Sequence, residues 1–158
     1  MSFLEEEGRD LFIALQNHKV RYLLVGGMAV NFHGYNRSTG DIDLWVDDSP
    51  ENRQLLVAAL KEYGIAGANS FLTLPLIAGY SELLLHSGMY VDLMCELKFF
   101  KQEHFAYAFE TAETYLLEGN VTLKVINIHS LLEEKKKSSR PRDRDDAEKL
   151  EHILQKRN

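Results

Sequence analysis

Apolar residues recur along the chain with two periods, one typical of helices and one typical of strands. Apolar positions three and four residues apart predict an amphipathic helix over residues 3–18 and another over residues 50–63, which begins at Pro50. Short runs of branched and aromatic residues predict strands. The predicted strands are residues 21–25, 41–46, 71–77, 82–86, 89–95, 115–117 and 122–126, and further helices are predicted over residues 27–34, 102–112, 128–138 and 144–155.

The order of these elements predicts the class of fold. Strands and helices alternate in the first half of the chain and then cluster, which favours an α/β or α+β fold with a mixed sheet flanked by helices. No low-complexity linker divides the sequence. We therefore expect one domain over residues 1–158, in which residues 1–127 form the core with the sheet and residues 128–158 form a C-terminal helical pair.

Charge and cysteine content narrow the choice of partners. The net charge of the 158-residue chain is −6, whereas a protein that binds nucleic acid over a wide surface is usually basic. Residues 133–158 carry nine Lys and Arg against seven Asp and Glu, so only a local basic patch is available. The acidic start of the sequence and the single Cys95 favour a cytoplasmic protein, and no apolar run is long enough to span a membrane.

The clearest chemistry lies in residues 22–46. An apolar run ends in Gly26 and Gly27, which place bare backbone amides at the start of a helix, where a phosphate can bind. After a polar loop, Asp41 and Asp43 are two positions apart on a strand, so their carboxylates face the same side, as two ligands of one hard cation must. A D-x-D pair alone is a weak signal, because aspartates that flank turns are common.

A third carboxylate strengthens the case for a metal site. Asp92 is a lone charge in the apolar run 89–95 and would be costly to bury without a partner, so we expect it to face a cleft, a partner or an ion. Nucleotidyl transfer commonly uses two ions about 4 Å apart, which requires more carboxylate than one pair supplies. If the two strands are neighbours, the oxygens of Asp41, Asp43 and Asp92 converge. The alternative for Asp92 is an exposed position on the polar side of a hairpin.

These motifs, VGGMAV, RSTGDIDL and the later YVDLM, together resemble the nucleotidyltransferase superfamily that includes DNA polymerase beta. The chain looks closest to the small stand-alone prokaryotic members, some of which act as toxins or abortive-infection factors. The C-terminal IHSLLEEKKKSSRPRDRDDAEKL is similar to the ending of such proteins, so the resemblance runs from about residue 20 to the C-terminus.

The resemblance implies a reaction and a cofactor. A nucleoside monophosphate would move from an NTP to an acceptor hydroxyl on tRNA, protein or a small molecule, and Mg²⁺ or Mn²⁺ would be held by Asp41, Asp43 and Asp92 as the catalytic carboxylates. It also implies a toxin–antitoxin setting with an antitoxin partner, and it leaves a homodimer open.

Cations and hydroxyls near the motifs are candidates for contact with the nucleotide phosphates. The guanidinium of Arg37 can bind phosphate oxygens in a bidentate manner, and the alternative is a surface arginine of the loop. The run of three lysines from Lys135 can reach the phosphates, or can be a solvated helix end that complements the helix dipole. The predicted nucleotide-binding residues are Gly26, Gly27, Arg37, Ser38, Thr39, Lys135 and Lys136.

One position departs from the superfamily pattern. Many members have Ser where this chain has Gly27, so phosphate contact would depend on backbone N–H groups and on the side chains of the following loop. The sequence therefore leaves open a non-catalytic nucleotide-binding protein of the same fold, and also a structural domain whose aspartates are surface charges. No P-loop motif, dinucleotide-binding motif or zinc-type Cys/His spacing occurs. Asp143 or Asp145 is predicted to cap the last helix.

Overall fold

The computed structural model describes residues 8–157. The beginning of the first predicted helix, including Phe3 and Leu4, lies outside these residues. The described part contains six α-helices and two 3₁₀ turns around one sheet. The helices are α1 (Arg9–Asn17), α2 (Gly26–Phe32), α3 (Pro50–Tyr63), α4 (Phe105–Glu110), α5 (Ile128–Lys136) and α6 (Pro141–Arg157), and the 3₁₀ turns are Ala68–Leu72 and Gln102–His104.

The sheet has six strands and is mixed, as expected from the order of elements. Its strands are β1 (Tyr22–Val25), β2 (Ile42–Val46), β3 (Glu82–Leu84), β4 (Tyr90–Met94), β5 (Glu113–Leu117) and β6 (Val121–Val125), in the order β3-β4-β2-β1-β6-β5. The central strands β1 and β2 are antiparallel, whereas β2 runs parallel to β4 and β1 parallel to β6. The predicted α/β class, with two helices at the C-terminal end, is confirmed.

The core is centred on β1 and β2, which are buried on both faces. All four residues of β1 are buried, and on β2 only Asp43 interrupts a buried run. Trp45 is fully buried, and its indole N–H donates to the carbonyl of Cys95 at 2.9 Å, so the one polar group of this large side chain is satisfied. Asp43 is therefore the polar exception in the best-buried part of the sheet.

The predicted strand over residues 71–77 is wrong. The segment begins with the 3₁₀ turn Ala68–Leu72 and continues as an irregular loop. The buried Arg53 donates to the carbonyls of Phe71 and Leu74, at 2.8 and 2.7 Å. Pro75, which has no N–H to give, further disfavours a strand here. An arginine side chain thus satisfies carbonyls that a strand would direct to its neighbour.

The last helix begins earlier than predicted, and its predicted cap is wrong. α6 begins at Pro141, since proline fits the first turn of a helix and needs no hydrogen-bond partner for its nitrogen. Asp143 lies inside that first turn and accepts from the hydroxyl of Ser138 at 2.6 Å. Asp145 accepts from the hydroxyl of Tyr35 at 2.6 Å. Both carboxylates therefore join α6 to other elements.

Among the described residues, none of the helices combines the length and the apolar character needed to cross a membrane.

Candidate functional site

Two carboxylates lie opposite each other on neighbouring parallel strands. In the register of β2 and β4, Asp43 is the partner of Asp92. The neighbours of Asp43 on β2, Ile42 and Leu44, point to the other side of the sheet and are at most 1% exposed. The two strands are adjacent, which brings Asp92 beside Asp43.

Burial and neighbouring negative charge make both carboxylates hard to ionise. The pKa of Asp43 is raised to about 7, chiefly by burial and then by the charges of Asp92 and Asp41, while Lys135 opposes the shift. The pKa of Asp92 is also raised by burial, against a hydrogen bond from the backbone N–H of Gly79 at 2.8 Å. The charges of Glu82 and Asp41 also raise the pKa of Asp92. A cation bound between crowded carboxylates relieves this repulsion.

One fully buried oxygen of this pair accepts no hydrogen bond from the described residues. Asp92 Oδ2 accepts from Gly79, but Oδ1 is buried and makes no hydrogen bond there. A buried carboxylate oxygen without a partner is costly, and hard cations such as Mg²⁺ take oxygen ligands of this kind. The chemistry of Asp43 and Asp92 therefore fits a divalent cation.

The third carboxylate is not assembled with the other two. Within residues 8–157, no three His, Cys, Asp or Glu side chains are grouped so that they could hold a metal ion. Asp41 is exposed and precedes β2, so the strand ladder that fixes Asp43 and Asp92 does not fix it. The predicted convergence of three carboxylates is not present in the described residues, and the role of Asp41 as a ligand stays a prediction.

The glycine pair allows close approach on both of its sides. Gly26 has φ +69°, in the region that favours glycine, and a Cβ there would overlap Asp43 Oδ2. A Cβ on Gly27 would lie 2.7 Å from Thr39 Oγ1 and 2.9 Å from Arg37 Nη2. The loop that follows α2 thus occupies the space that a serine side chain at Gly27 would need.

Arg37 is tied to the C-terminal helix. Its Nε and Nη2 donate to the two oxygens of Asp146 at 2.7 and 2.9 Å, and its Nη1 donates to the carbonyl of Ser38 at 2.9 Å. Asp146 is fully buried. The guanidinium therefore anchors the loop before β2 to α6, and its predicted contact with phosphate stays a prediction.

The two predicted lysines have different surroundings. Lys135 is buried and lies 3.0 Å from Asp143 Oδ1 and 3.0 Å from Asp146 Oδ2. Although burial acts in the opposite direction, hydrogen bonds from Ser138 and Lys135 lower the pKa of Asp143. Lys136 is half exposed, with its ammonium 2.8 Å from Glu151. Of the two, only Lys135 faces the cleft described next.

A cleft of about 720 Å³ lies between the sheet and the C-terminal helices. This volume is in the range of small-molecule sites. Asp43, Asp92 and Gly26 line the sheet side, and Lys135 and Asp143 line the helical side. Sequence reasoning missed the lining residues that come directly after β4 and those of the loop around Gly79. For the residues after β4, the sequence offers one signal, the two lysines Lys98 and Lys101.

No protein-family model matches this chain, and a search of curated proteins finds no match either. The resemblance to nucleotidyltransferases therefore rests on the sequence motifs alone.

Proposed function

We propose that this protein is a magnesium-dependent nucleotidyltransferase that moves a nucleoside monophosphate from an NTP to an acceptor hydroxyl. The observation that carries the proposal is the pairing of Asp43 with Asp92 on adjacent parallel strands, in a cleft that also contains Gly26. Burial and repulsion raise the pKa values of both carboxylates, and one oxygen of Asp92 lacks a partner in the described part of the chain. These features are what a cation-binding carboxylate pair requires.

Each residue of the site has a role in this reaction. Asp43 and Asp92 would hold Mg²⁺ or Mn²⁺, with Asp41 as the third ligand. A cation held by these residues would supply neutralisation of charge on the phosphate oxygens. The amides of Gly26 and Gly27 hold the nucleotide phosphates at the start of α2. Catalysis by the chain would consist mainly of positioning the two reactants.

Asp92 is the best candidate for the proton acceptor. In the transfer step, the acceptor oxygen forms a bond to the α-phosphorus while the bond from phosphorus to pyrophosphate breaks. The hydroxyl proton passes to Asp92 Oδ1, which accepts no hydrogen bond from the described residues. A raised pKa favours that transfer because the carboxylate then holds a proton more strongly.

The resemblance supplies the rest of the proposal. The acceptor is a tRNA, a protein or a small molecule, and the acidic net charge of −6 disfavours contact with RNA over a wide surface. A cytoplasmic location, an antitoxin partner and a homodimer belong to the same proposal.

An assay of labelled nucleotide transfer tests the proposed activity. Wild-type protein is incubated with Mg²⁺, NTPs labelled at the α-phosphorus, and pools of tRNA, protein or small molecules. We expect labelled acceptor with the wild type and with Asp10→Asn, an exposed position on α1, and none with Asp43→Asn. Label transfer that survives in Asp43→Asn would overturn the mechanism.

A second candidate is a nucleotide-binding protein without turnover. It is favoured by one observation, the lack of an assembled three-ligand group within residues 8–157. It predicts that NTP with Mg²⁺ raises the melting temperature of the wild type, because a ligand that binds only the folded state stabilises it. It also predicts that no acceptor pool causes release of pyrophosphate.

A further inference from the structure

Four cations line the cleft, and they differ in how firmly they are paired. Lys135 lies between two carboxylates, both 3.0 Å from its ammonium. Arg140 is 64% exposed in its side chain, with Nε 3.8 Å from Asp143, and the ammonium of Lys101 is 3.6 Å from Glu96. The exposed Lys98 has no ion-pair partner within residues 8–157. Five carboxylates also line this cleft, so its positive charge is not in excess; what distinguishes Lys98, Lys101 and Arg140 from Lys135 is that they are unpaired or only loosely paired within the described residues.

The backbone that carries Lys98 is held in place by a carboxylate from α5. Glu134 accepts hydrogen bonds from three successive backbone N–H groups: that of Lys98 at 2.7 Å, that of Phe99 at 2.9 Å and that of Phe100 at 3.2 Å. Lys101 continues this segment, and its N–H donates to the ring of His104 at 2.8 Å. A loop fixed in this way places its lysines without loss of backbone freedom on binding.

The firmly paired cations are poorly suited to bind a ligand. To reach a phosphate, Arg37 would have to leave Asp146, which is fully buried and would keep its charge without that partner. Lys135 is held by the same carboxylate. Lys98 has no such partner, and Arg140 can turn away from Asp143 while that carboxylate keeps Lys135 at 3.0 Å and the hydroxyl of Ser138 at 2.6 Å.

We propose that Lys98 and Arg140, with Lys101 beside them, bind the polyphosphate chain of the nucleotide, in the place that the sequence assigns to Arg37 and Lys136. This inference rests on the proposed function. Lysine and arginine form charge-assisted hydrogen bonds with phosphate oxygens. Asp43 and Asp92 line the same cleft as these basic side chains. A bound polyphosphate could therefore contact the proposed metal ion and the basic side chains at the same time.

Binding of inorganic tripolyphosphate with Mg²⁺, measured by calorimetry, tests the subsite without any nucleotide chemistry. Lys98→Ala and Arg140→Ala should each weaken binding roughly tenfold, the loss of one charge-assisted contact, and the double variant should weaken it further. Lys98→Glu should weaken binding more than Lys98→Ala because it reverses the charge. The matched control is Lys61→Ala, an exposed lysine of α3 that does not line the cleft, and it should leave the affinity within about twofold of the wild type.

Two results would overturn the inference: no binding of tripolyphosphate by the wild type, or equal affinities of the wild type and the Lys98 and Arg140 variants. Melting temperatures of the variants, which alter exposed side chains, should match the wild type and so exclude misfolding. The labelled-transfer assay on the same preparations separates this inference from the proposed function. If the wild type transfers label and Lys98→Ala binds tripolyphosphate as tightly as the wild type, the phosphate subsite is wrong but the proposed function stands. If binding depends on Lys98 and the wild type transfers no label, the subsite stands but the proposed enzymatic activity is wrong.

Discussion

Asp146 joins two cations from different parts of the chain at a fully buried position. It accepts a bidentate contact from Arg37 and lies 3.0 Å from the ammonium of Lys135. Asp146→Ala leaves both cations without this partner, so we expect it to lower the free energy of unfolding by about 3–5 kcal/mol. Urea unfolding measures the difference. Glu148→Ala, exposed on the same helix, should stay within about 0.5 kcal/mol of the wild type, and a similarly small effect at Asp146 would contradict the role of the pair.

Gly27 has no room for the serine that many nucleotidyltransferases carry. The added side chain would begin 2.7 Å from Thr39 Oγ1 and 2.9 Å from Arg37 Nη2. Gly27→Ser should therefore lower the free energy of unfolding by about 1–3 kcal/mol through overpacking, and should not improve nucleotide affinity. Gly40→Ser is the control, since a Cβ at Gly40 meets nothing within 4 Å. Denaturant unfolding of both variants measures the difference. If Gly27→Ser is as stable as the wild type, the loop that carries Arg37 and Thr39 can move to accommodate the side chain, and the prediction is wrong.

Single residues were predictable from sequence where the signal is local. That Asp43 and Asp92 each interrupt an apolar strand is evident from the residues of each strand, whereas the pairing of the two strands is seen only in the structure. The role of Asp146 is different, because its partner Arg37 is 109 positions away and no local pattern links them. For the same reason the sequence predicts Asp143 or Asp145 as the cap of the last helix, although Asp143 accepts from Ser138 and Asp145 accepts from Tyr35.

At the scale of elements, the hydrophobic pattern located most helices and strands but did not identify the segment after α3. Residues 71–77 have the composition of a strand, yet their carbonyls are taken by the side chain of Arg53. Burial of an arginine is rare enough that sequence patterns favour an exposed position for it. The strand prediction failed because this long-range contact competes with the local preference.

The end of α2 is attached to the end of β6 by a buried histidine. His33 Nε2 donates to the carbonyl of Ile126 at 2.7 Å, and Nδ1 lies 3.3 Å from Glu113 Oε2 without making a hydrogen bond. Burial lowers the pKa of His33, against the effects of Ile126 and Glu113, while Arg157 adds to the decrease. As the pH falls, His33 is therefore protonated at a higher pH in the unfolded chain than in the folded protein. The contribution of His33 to stability is complete above its ordinary pKa and is lost as the pH falls through the lowered one.

His33→Gln tests this attachment, because glutamine can keep the donor but does not titrate. We expect the free energy of unfolding of the wild type to fall more steeply than that of the variant between about pH 7 and about pH 5. Urea unfolding across that range measures both slopes. His152→Gln, exposed on α6, should retain the wild-type slope. If the free energy of unfolding depends on pH equally in the wild type and in His33→Gln, groups other than His33 cause the loss of stability in acid.

On the scale of the whole molecule, the candidate site draws on four separate stretches of chain. Residues 25–43 supply Gly26 and one carboxylate, residues 76–79 supply the loop that donates to Asp92, residues 92–101 supply the second carboxylate and two lysines, and residues 131–143 supply the helical wall. The mixed sheet and the C-terminal helices were predictable because their hydrophobic periods are clear. The cleft walls were not, since they depend on how α5 and α6 pack over the sheet.

The buried ion pairs at α6 should make this helix part of the main cooperative unit. Asp146 connects it to the loop before β2 and to α5, and Ala147 and Leu150 are buried in the core. We expect the backbone amides of residues 146–150 to show hydrogen-exchange protection close to that of β1, and the amides of the 3₁₀ turn Ala68–Leu72 to exchange much faster. Asp146→Asn should accelerate exchange in α6 more than in β1. If wild-type α6 already exchanges far faster than β1, the C-terminal helices open as a separate unit, and the cleft would lose its helical wall whenever they do.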